Sequence, residues 1–99
     1  MSEHKRMRLA VIGATGSVGG SVLDICARFP DRFDVVSLAA CSNSAKLTEL
    51  GRKFNCRKLC LTEPAGKFTE PGFECLTGVE ALSMLAADEE VDQVVFASS

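Results

Sequence analysis

Seven residues, Gly13-Ala14-Thr15-Gly16-Ser17-Val18-Gly19, have the types and spacing best suited to chemistry. They follow the apolar run Leu9-Ala10-Val11-Ile12 and open a stretch of helical periodicity. A glycine at 13 permits a tight turn off a strand, and one at 16 leaves room for an anion's oxygens to approach the backbone. One at 19 lets the new helix pack closely on a sheet. The first N–H groups of that helix have no partner within it, and with the helix dipole they favour negative charge without needing a lysine. Thr15 and Ser17 add hydroxyl donors. The chemistry implied is the cradling of a dinucleotide's pyrophosphate, and the flanking strand and helix are the context that such a glycine pattern requires.

Those residues need a sheet to hold them, and the rest of the chain alternates apolar strands with helical patterns, the mark of βαβ units. Leu9–Ile12 is too short for a helix and suits a strand buried on both faces. The first helix runs from about Gly16 to Phe29, with Val18, Val22, Ile25, Cys26 and Phe29 at helical spacing and Pro30 ending it. Phe33–Ala40 is the second strand. Ser42-Asn43-Ser44 supplies cap chemistry for a second helix carrying Leu47, Leu50 and Phe54. Lys58–Leu61 is a short third strand, and Phe73–Leu76 adds a short extended piece after a loop rich in Pro, Gly and Glu. Thr77-Gly78-Val79-Glu80 has the form of a capping box for a third helix bearing Ala81, Leu82, Leu85 and Ala86 on one face. Gln93–Ala97 is the last strand, counted as the fourth.

Right-handed crossovers then predict an α/β, Rossmann-like parallel sheet with helices on both faces and strand order 3-2-1-4, the chain ending before the strands that complete such a fold. The switch point falls at the carboxyl ends of strands one and four, so Gly13–Gly19 and Ala97–Ser99 are expected to border the ligand.

At 99 residues the chain is one domain, 1-99, too short for a cofactor domain plus a substrate domain. With 46% hydrophobic and 24% charged residues it is expected to fold. A net charge of −2 argues against nucleic acid or a membrane surface as partner. No apolar run reaches membrane-spanning length, and Met1–Arg8 lacks an apolar signal core, so the expectation is a soluble cytoplasmic protein. Five cysteines at irregular spacing fit a reducing compartment better than a disulfide framework. Cys56 and Cys60 have C-x3-C spacing but no second pair, and the single histidine is His4; buried thiols are favoured, and no metal ligand is assigned.

Cofactor choice rests on the end of the second strand, where a carboxylate would hold the ribose hydroxyls of NAD and repel the extra phosphate of NADP. The residues there are Ala40-Cys41-Ser42-Asn43, with Lys46 one turn on. Neutral donors and no acid favour NADP. Ser42 and Asn43 also suit a plain capping role, and the two roles can coexist.

Together, Gly13–Gly19, Ser21-Val22-Leu23-Asp24, the run from Phe29 to Leu38 and Val91-Asp92-Gln93-Val94-Val95 give the chain a clear likeness. It resembles the N-terminal NADPH-binding domain of the 1-deoxy-D-xylulose 5-phosphate reductoisomerases, over nearly its whole length. The resemblance implies NADPH, with Thr15, Gly16, Ser17 and Val18 along the pyrophosphate and Cys41, Ser42 and Asn43 around the adenosine ribose and its 2′-phosphate. It further implies, for the full-length parent, a divalent metal (Mg or Mn) and a small phosphorylated sugar substrate. In that parent a metal-assisted rearrangement and a hydride transfer yield 2-C-methyl-D-erythritol 4-phosphate for isoprenoid biosynthesis. The metal ligands and catalytic residues are expected downstream of residue 99, so no catalytic residue is assigned and the chain alone is expected to be inactive.

Two departures stand out. Cys41-Ser42-Asn43 replaces the usual Gly-Lys-Asn, removing a charge that Lys46 is placed to restore, and Ala97-Ser98-Ser99 replaces the usual Ala-Ile-Val. Asp24, within the first helix, and Asp92, ahead of a strand, lack the acidic partner of an acid/base or metal pair and read as structural. Two other readings stay open: an NADP-linked reductase resembling aspartate-semialdehyde dehydrogenase, which needs a nucleophilic cysteine in its own context, and a non-catalytic nucleotide-binding module. The apolar edge of the last strand is expected to invite pairing with another chain, giving a homo-oligomer.

Overall fold

A computed structural model describes residues 6–97; His4, Ser98 and Ser99 lie outside the described residues. The elements are β1 (Met7–Ile12), α1 (Ser17–Arg28), β2 (Phe33–Ala40), α2 (Ser44–Phe54), β3 (Lys58–Leu61), β4 (Glu74–Thr77), α3 (Glu80–Ala86) and β5 (Gln93–Phe96). All strand pairs are parallel, in the order β4-β3-β2-β1-β5.

The expected order 3-2-1-4 therefore needs correction. Its inner run is present, with the last strand beside β1, but the extended piece near Phe73–Leu76 is a full member of the sheet. It pairs with β3 from Lys58↔Glu74 to Leu61↔Thr77. Without it the outer edge of β3, whose Leu59, Cys60 and Leu61 are all buried, would carry unpaired N–H and C=O groups. The last strand is accordingly β5, and among the described residues its outer edge has no partner strand.

Side chains leave the sheet on two faces. Leu9 and Val11 of β1 join Val35, Leu38 and Ala40 of β2 beneath Leu23 and Cys26 of α1 and Leu47 of α2. Ile12, Ala39 and Cys60 meet Ala81 and Leu85 of α3 on the other face. Both crossovers from β1 through β3 thus lie on one side, and the return from β4 to β5 crosses on the other, as right-handed connections require. A bulge shifts β2 by one residue, so Leu9 faces Val35 while Ala10 faces Ser37. That extra residue puts Val35 and Leu38 on one face although they are three apart.

The expected capping box at Thr77 does not form. Thr77 closes β4, Gly78 turns the chain at φ +95°, and Val79 caps α3 without a side-chain hydrogen bond. Among the described residues no helix is long and apolar enough to cross a membrane.

Candidate dinucleotide site at the carboxyl edge of the sheet

Buried β1 delivers the chain to the carboxyl edge, where Gly13 takes φ +86° and turns it away from the sheet. The N–H groups of Gly13 and Ala14 both donate to the Ala39 carbonyl, at 2.9 and 3.0 Å, so the loop is tied to the end of β2. Gly19 lies against that loop. A Cβ on it would stand 2.2 Å from the Gly13 carbonyl oxygen and 2.8 Å from Ala14 Cα, so only glycine lets α1 start this close to β1.

Gly16 is different. It is the N-cap of α1 in ordinary extended backbone, φ −83° and ψ 175°, and a Cβ there would meet only the Gly13 oxygen, at 3.6 Å. The fold does not require glycine at 16. As N-cap it offers no side-chain oxygen, so the N–H groups of Ser17, Val18 and Gly19, which a helix leaves without internal acceptors, receive no side-chain cap.

These groups border a cleft of about 230 Å³. Gly13, Thr15, Gly16, Ser17 and Val18 form one wall, and Ala40, Cys41 and Ala97 from the ends of β2 and β5 form the other. The Ala97 N–H donates to the Ile12 carbonyl at 2.7 Å, fixing the end of β5 against β1. Among the described residues no Asp or Glu lines this cleft, and its donors are backbone amides and hydroxyls.

The residues expected at the ribose divide. Cys41 lines the cleft and is exposed. Ser42 and Asn43 do not line it; the Ser42 carbonyl accepts from Ser44 N–H at 2.9 Å, and Asn43 Oδ1 accepts from Lys46 N–H at 3.2 Å. Lys46 lines a neighbouring groove between α1 and α2, shared with Gly16, Asp24 and Lys53. A second cavity, of about 190 Å³, shares Gly13, Ala40 and Cys41 with the cleft and extends to Ile12, Ala39, Thr62 and Leu82. Sequence reasoning missed Thr62 and Leu82 as neighbours of the loop; the available signal was that β3, too, ends at this edge.

Neither single acid joins the site. Asp24 pairs with Arg28 along α1 at 3.3 Å. Asp92 accepts from the Arg8 backbone N–H at 2.9 Å and from its guanidinium at 3.1 Å, clamping the starts of β1 and β5 and raising the Arg8 pKa. Cys56 and Cys60 belong to opposite faces of the sheet and cannot share a metal. The Cys56 thiol donates to the Val35 carbonyl at 3.1 Å, and burial pushes its pKa up to about 12, leaving it protonated and inert. Among the described residues, no three His, Cys, Asp or Glu side chains are grouped to hold a metal ion.

Residues 9–99 match the model of a family described as 1-deoxy-D-xylulose 5-phosphate reductoisomerase. The enzyme of that name from Anaeromyxobacter sp. (strain K) is 37% identical over 97 residues, covering 93% of this chain and 25% of the relative. A solved reductoisomerase in complex with magnesium superposes with a TM-score of 0.78 at 30% identity, covering 91% of this chain and 24% of that one. The Zymomonas mobilis enzyme, solved in complex with NADPH, gives 0.71 at 29% identity, over 83% of this chain and 23% of that one. The chain spans about a quarter of the length of these relatives.

Proposed function

The chain belongs to the 1-deoxy-D-xylulose 5-phosphate reductoisomerase family, and from that premise we propose that it is the NADPH-binding part of such an enzyme. One observation carries the reading: the uncapped start of α1 and the ends of β1, β2 and β5 border a cleft at the switch point of the sheet that, among the described residues, no acid lines. The pyrophosphate rests on Gly13, Thr15, Gly16, Ser17 and Val18, where free N–H groups and two hydroxyls meet its oxygens. The adenosine half runs over Cys41 towards Ser42 and Asn43, and the nicotinamide half runs past Ala97. With no carboxylate in the cleft to repel a 2′-phosphate, the phosphorylated dinucleotide is the one that fits.

NADPH, when bound, supplies a hydride; the residues of this chain hold and orient it and take no chemical part. In the whole enzyme the substrate is 1-deoxy-D-xylulose 5-phosphate, rearranged with the help of a divalent metal and then reduced. The described residues do not group as a metal site, so no step through the metal is assigned to them. Support for this wider reading comes from the relatives named above, including one solved with NADPH and one with magnesium. The unpartnered edge of β5, with Phe96 69% exposed, is the surface through which copies of the chain would associate.

Calorimetric titration of NADPH into the 99-residue chain, with and without millimolar inorganic pyrophosphate, tests the cofactor assignment. Binding that pyrophosphate displaces is expected. No heat, or heat that pyrophosphate leaves unchanged, overturns it.

A further inference from the structure

The connection from α3 to β5, residues 87–92, carries acids at alternate positions, and each meets a cation at the start of a strand. Asp88 pairs with Lys58 of β3 at 2.5 Å, Glu90 with Arg57 just ahead of β3, and Asp92 with Arg8 of β1 at 3.1 Å. Backbone groups fix their spacing. Asp88 Oδ1 accepts from the Glu90 N–H at 2.9 Å, the Asp88 carbonyl from the Val91 N–H at 3.0 Å, and the Arg8 carbonyl from the Asp92 N–H at 2.8 Å. β2 lies between β3 and β1 in the sheet, so this short loop straps together the starts of two strands that are not neighbours. The other charges at this edge are Glu74 at the start of β4, Glu89 in the loop, and Asp34 of β2, which pairs with Arg6 at 3.5 Å.

What the strap holds is otherwise weakly held. Among the described residues β5 has one strand neighbour, β1, whereas β1, β2 and β3 each have two. α3 is seven residues long, has no side-chain cap, and fully buries only Ala81 and Leu85. A helix that short is not stable by itself. We propose that α3 and β5 form one unit that opens from the sheet while the rest stays folded, and that the Asp88–Asp92 strap is the charge-dependent latch that keeps it closed. Opening bares Ile12, Ala39 and Cys60 on the α3 face of the sheet. It also draws Ala97, at the end of β5, out of the cleft wall, while the Gly13–Gly19 loop stays tied to the Ala39 carbonyl. Near pH 7 at low salt the closed form dominates. None of this depends on what the cleft binds.

The two faces of the sheet carry their own reporters. Cys60 is buried on the α3 face with Ala81 and Leu85, and Cys26 and Cys56 are buried on the opposite face, in the core under α1 and α2. A thiol reagent reaches a buried cysteine only when the structure over it opens, so labelling of the 99-residue chain, followed cysteine by cysteine by mass spectrometry, reads each opening. After correction for the unfolded-chain rates, Cys60 is expected to label about tenfold faster than Cys26 and Cys56, with a shallower urea dependence, because a local opening exposes less surface. Raising NaCl from about 0.1 M to about 1 M, which shortens the screening length from about 10 Å to about 3 Å, should speed Cys60 about fivefold more. Salt acts on Arg57–Glu90 and Arg8–Asp92 more than on Lys58–Asp88, whose carboxylate side chain is only 10% exposed. In Glu90→Gln/Asp92→Asn, which keeps an amide oxygen for each hydrogen bond, Cys60 should label fast already at low salt, and its response to salt should be flat. Equal rates and urea slopes for the three cysteines in the unmodified chain overturn the proposal, whether or not the variant folds. A Cys60 rate that salt leaves unchanged overturns it too, as does a salt response that survives in the folded double variant.

Discussion

Helices α1 and α2 start at the same edge of the sheet, on the same face, and neither has an acidic residue in its first turn. Their first residues are treated in opposite ways. Asn43 caps α2 and spends its side-chain oxygen on the Lys46 N–H, whereas Gly16 caps α1 with no side chain at all. Glycine is itself a tolerable N-cap, only roughly a few tenths of a kcal/mol poorer than asparagine, so α1 gives up little stability by leaving its donors without a side-chain acceptor. The difference teaches where donors are kept available: α2 satisfies one of its own, and α1 leaves its N–H groups facing a cleft that an anion would fill.

The glycines of the loop allow that contrast to be broken most sharply. In Gly19→Ala the new methyl collides with backbone atoms at 2.2 and 2.8 Å, which no rotamer change relieves. We expect a loss of ~3 kcal/mol or outright failure to fold, measured by urea denaturation. A loss below about 1 kcal/mol would mean that the loop yields and that α1 is not held against β1 as described. Gly16→Ala should do the reverse. Its methyl makes only an ordinary contact at 3.6 Å and alanine is the poorer N-cap, so the loss of stability should stay within about 1 kcal/mol, well below that of Gly19→Ala. NADPH affinity, read by calorimetry, should fall at least tenfold, about 1.4 kcal/mol, because the methyl occupies room that the phosphate oxygens need. Unchanged affinity in a folded Gly16→Ala would remove the functional half of the contrast.

The elements that frame the cleft were legible because their signals are local. The apolar runs of β2 and β3 have the predicted bounds, and α1 ends at the residue pair before Pro30 as its periodicity predicts. β4 was only partly legible, since Glu74 and Thr77 are exposed and its place in the sheet is decided by the open edge of β3. The Thr77–Glu80 pattern misled because the same threonine was needed to finish β4, a competition invisible in a four-residue motif. At the candidate site, the turn at Gly13 and the close approach at Gly19 could be read directly, whereas the fold gives Gly16 no role of its own. Thr62 and Leu82 could not, because they reach the loop only through crossovers that bring three strand ends and α3 together. Ser42 and Asn43, expected around the ribose, do not line the cleft, because the turn after β2 directs them to the start of α2.

Asn43 gives a smaller test of the same contrast. Asn43→Ala should cost ~1 kcal/mol of stability, seen as a lower urea midpoint with an unchanged slope. Asn43→Asp keeps an oxygen for the Lys46 N–H and suits the helix dipole, so stability should hold. If the 2′-phosphate lies on this side of β2, the added charge should weaken NADPH more than NADH. Equal effects on the two cofactors would show that Asn43 serves α2 alone.

The smallest effect is expected at the opposite edge of the sheet, where the ion pairs gather. Arg8–Asp92 joins the starts of β1 and β5 at 3.1 Å, and Lys58 at the start of β3 holds Asp88, after α3, at 2.5 Å. Asp88 also accepts from the Glu90 N–H at 2.9 Å, and Arg57 pairs with Glu90 beside it. The hydrogen bond from Lys58 is the main cause holding the Asp88 pKa below the ordinary carboxylate value, followed by the Glu90 amide. A depressed folded pKa contributes stability that is present above the unfolded pKa, about 3.9, and lost as pH falls through the folded value. The urea midpoint should therefore drop as the pH goes below about 4, and Asp88→Asn should be less stable at pH 7 with a shallower acid decline. Identical acid profiles for the two proteins would show that this pair contributes nothing to folding. Near pH 7, NADPH affinity should be the same in both, because Asp88 lies at the amino edge of the sheet and the proposed cleft at the carboxyl edge.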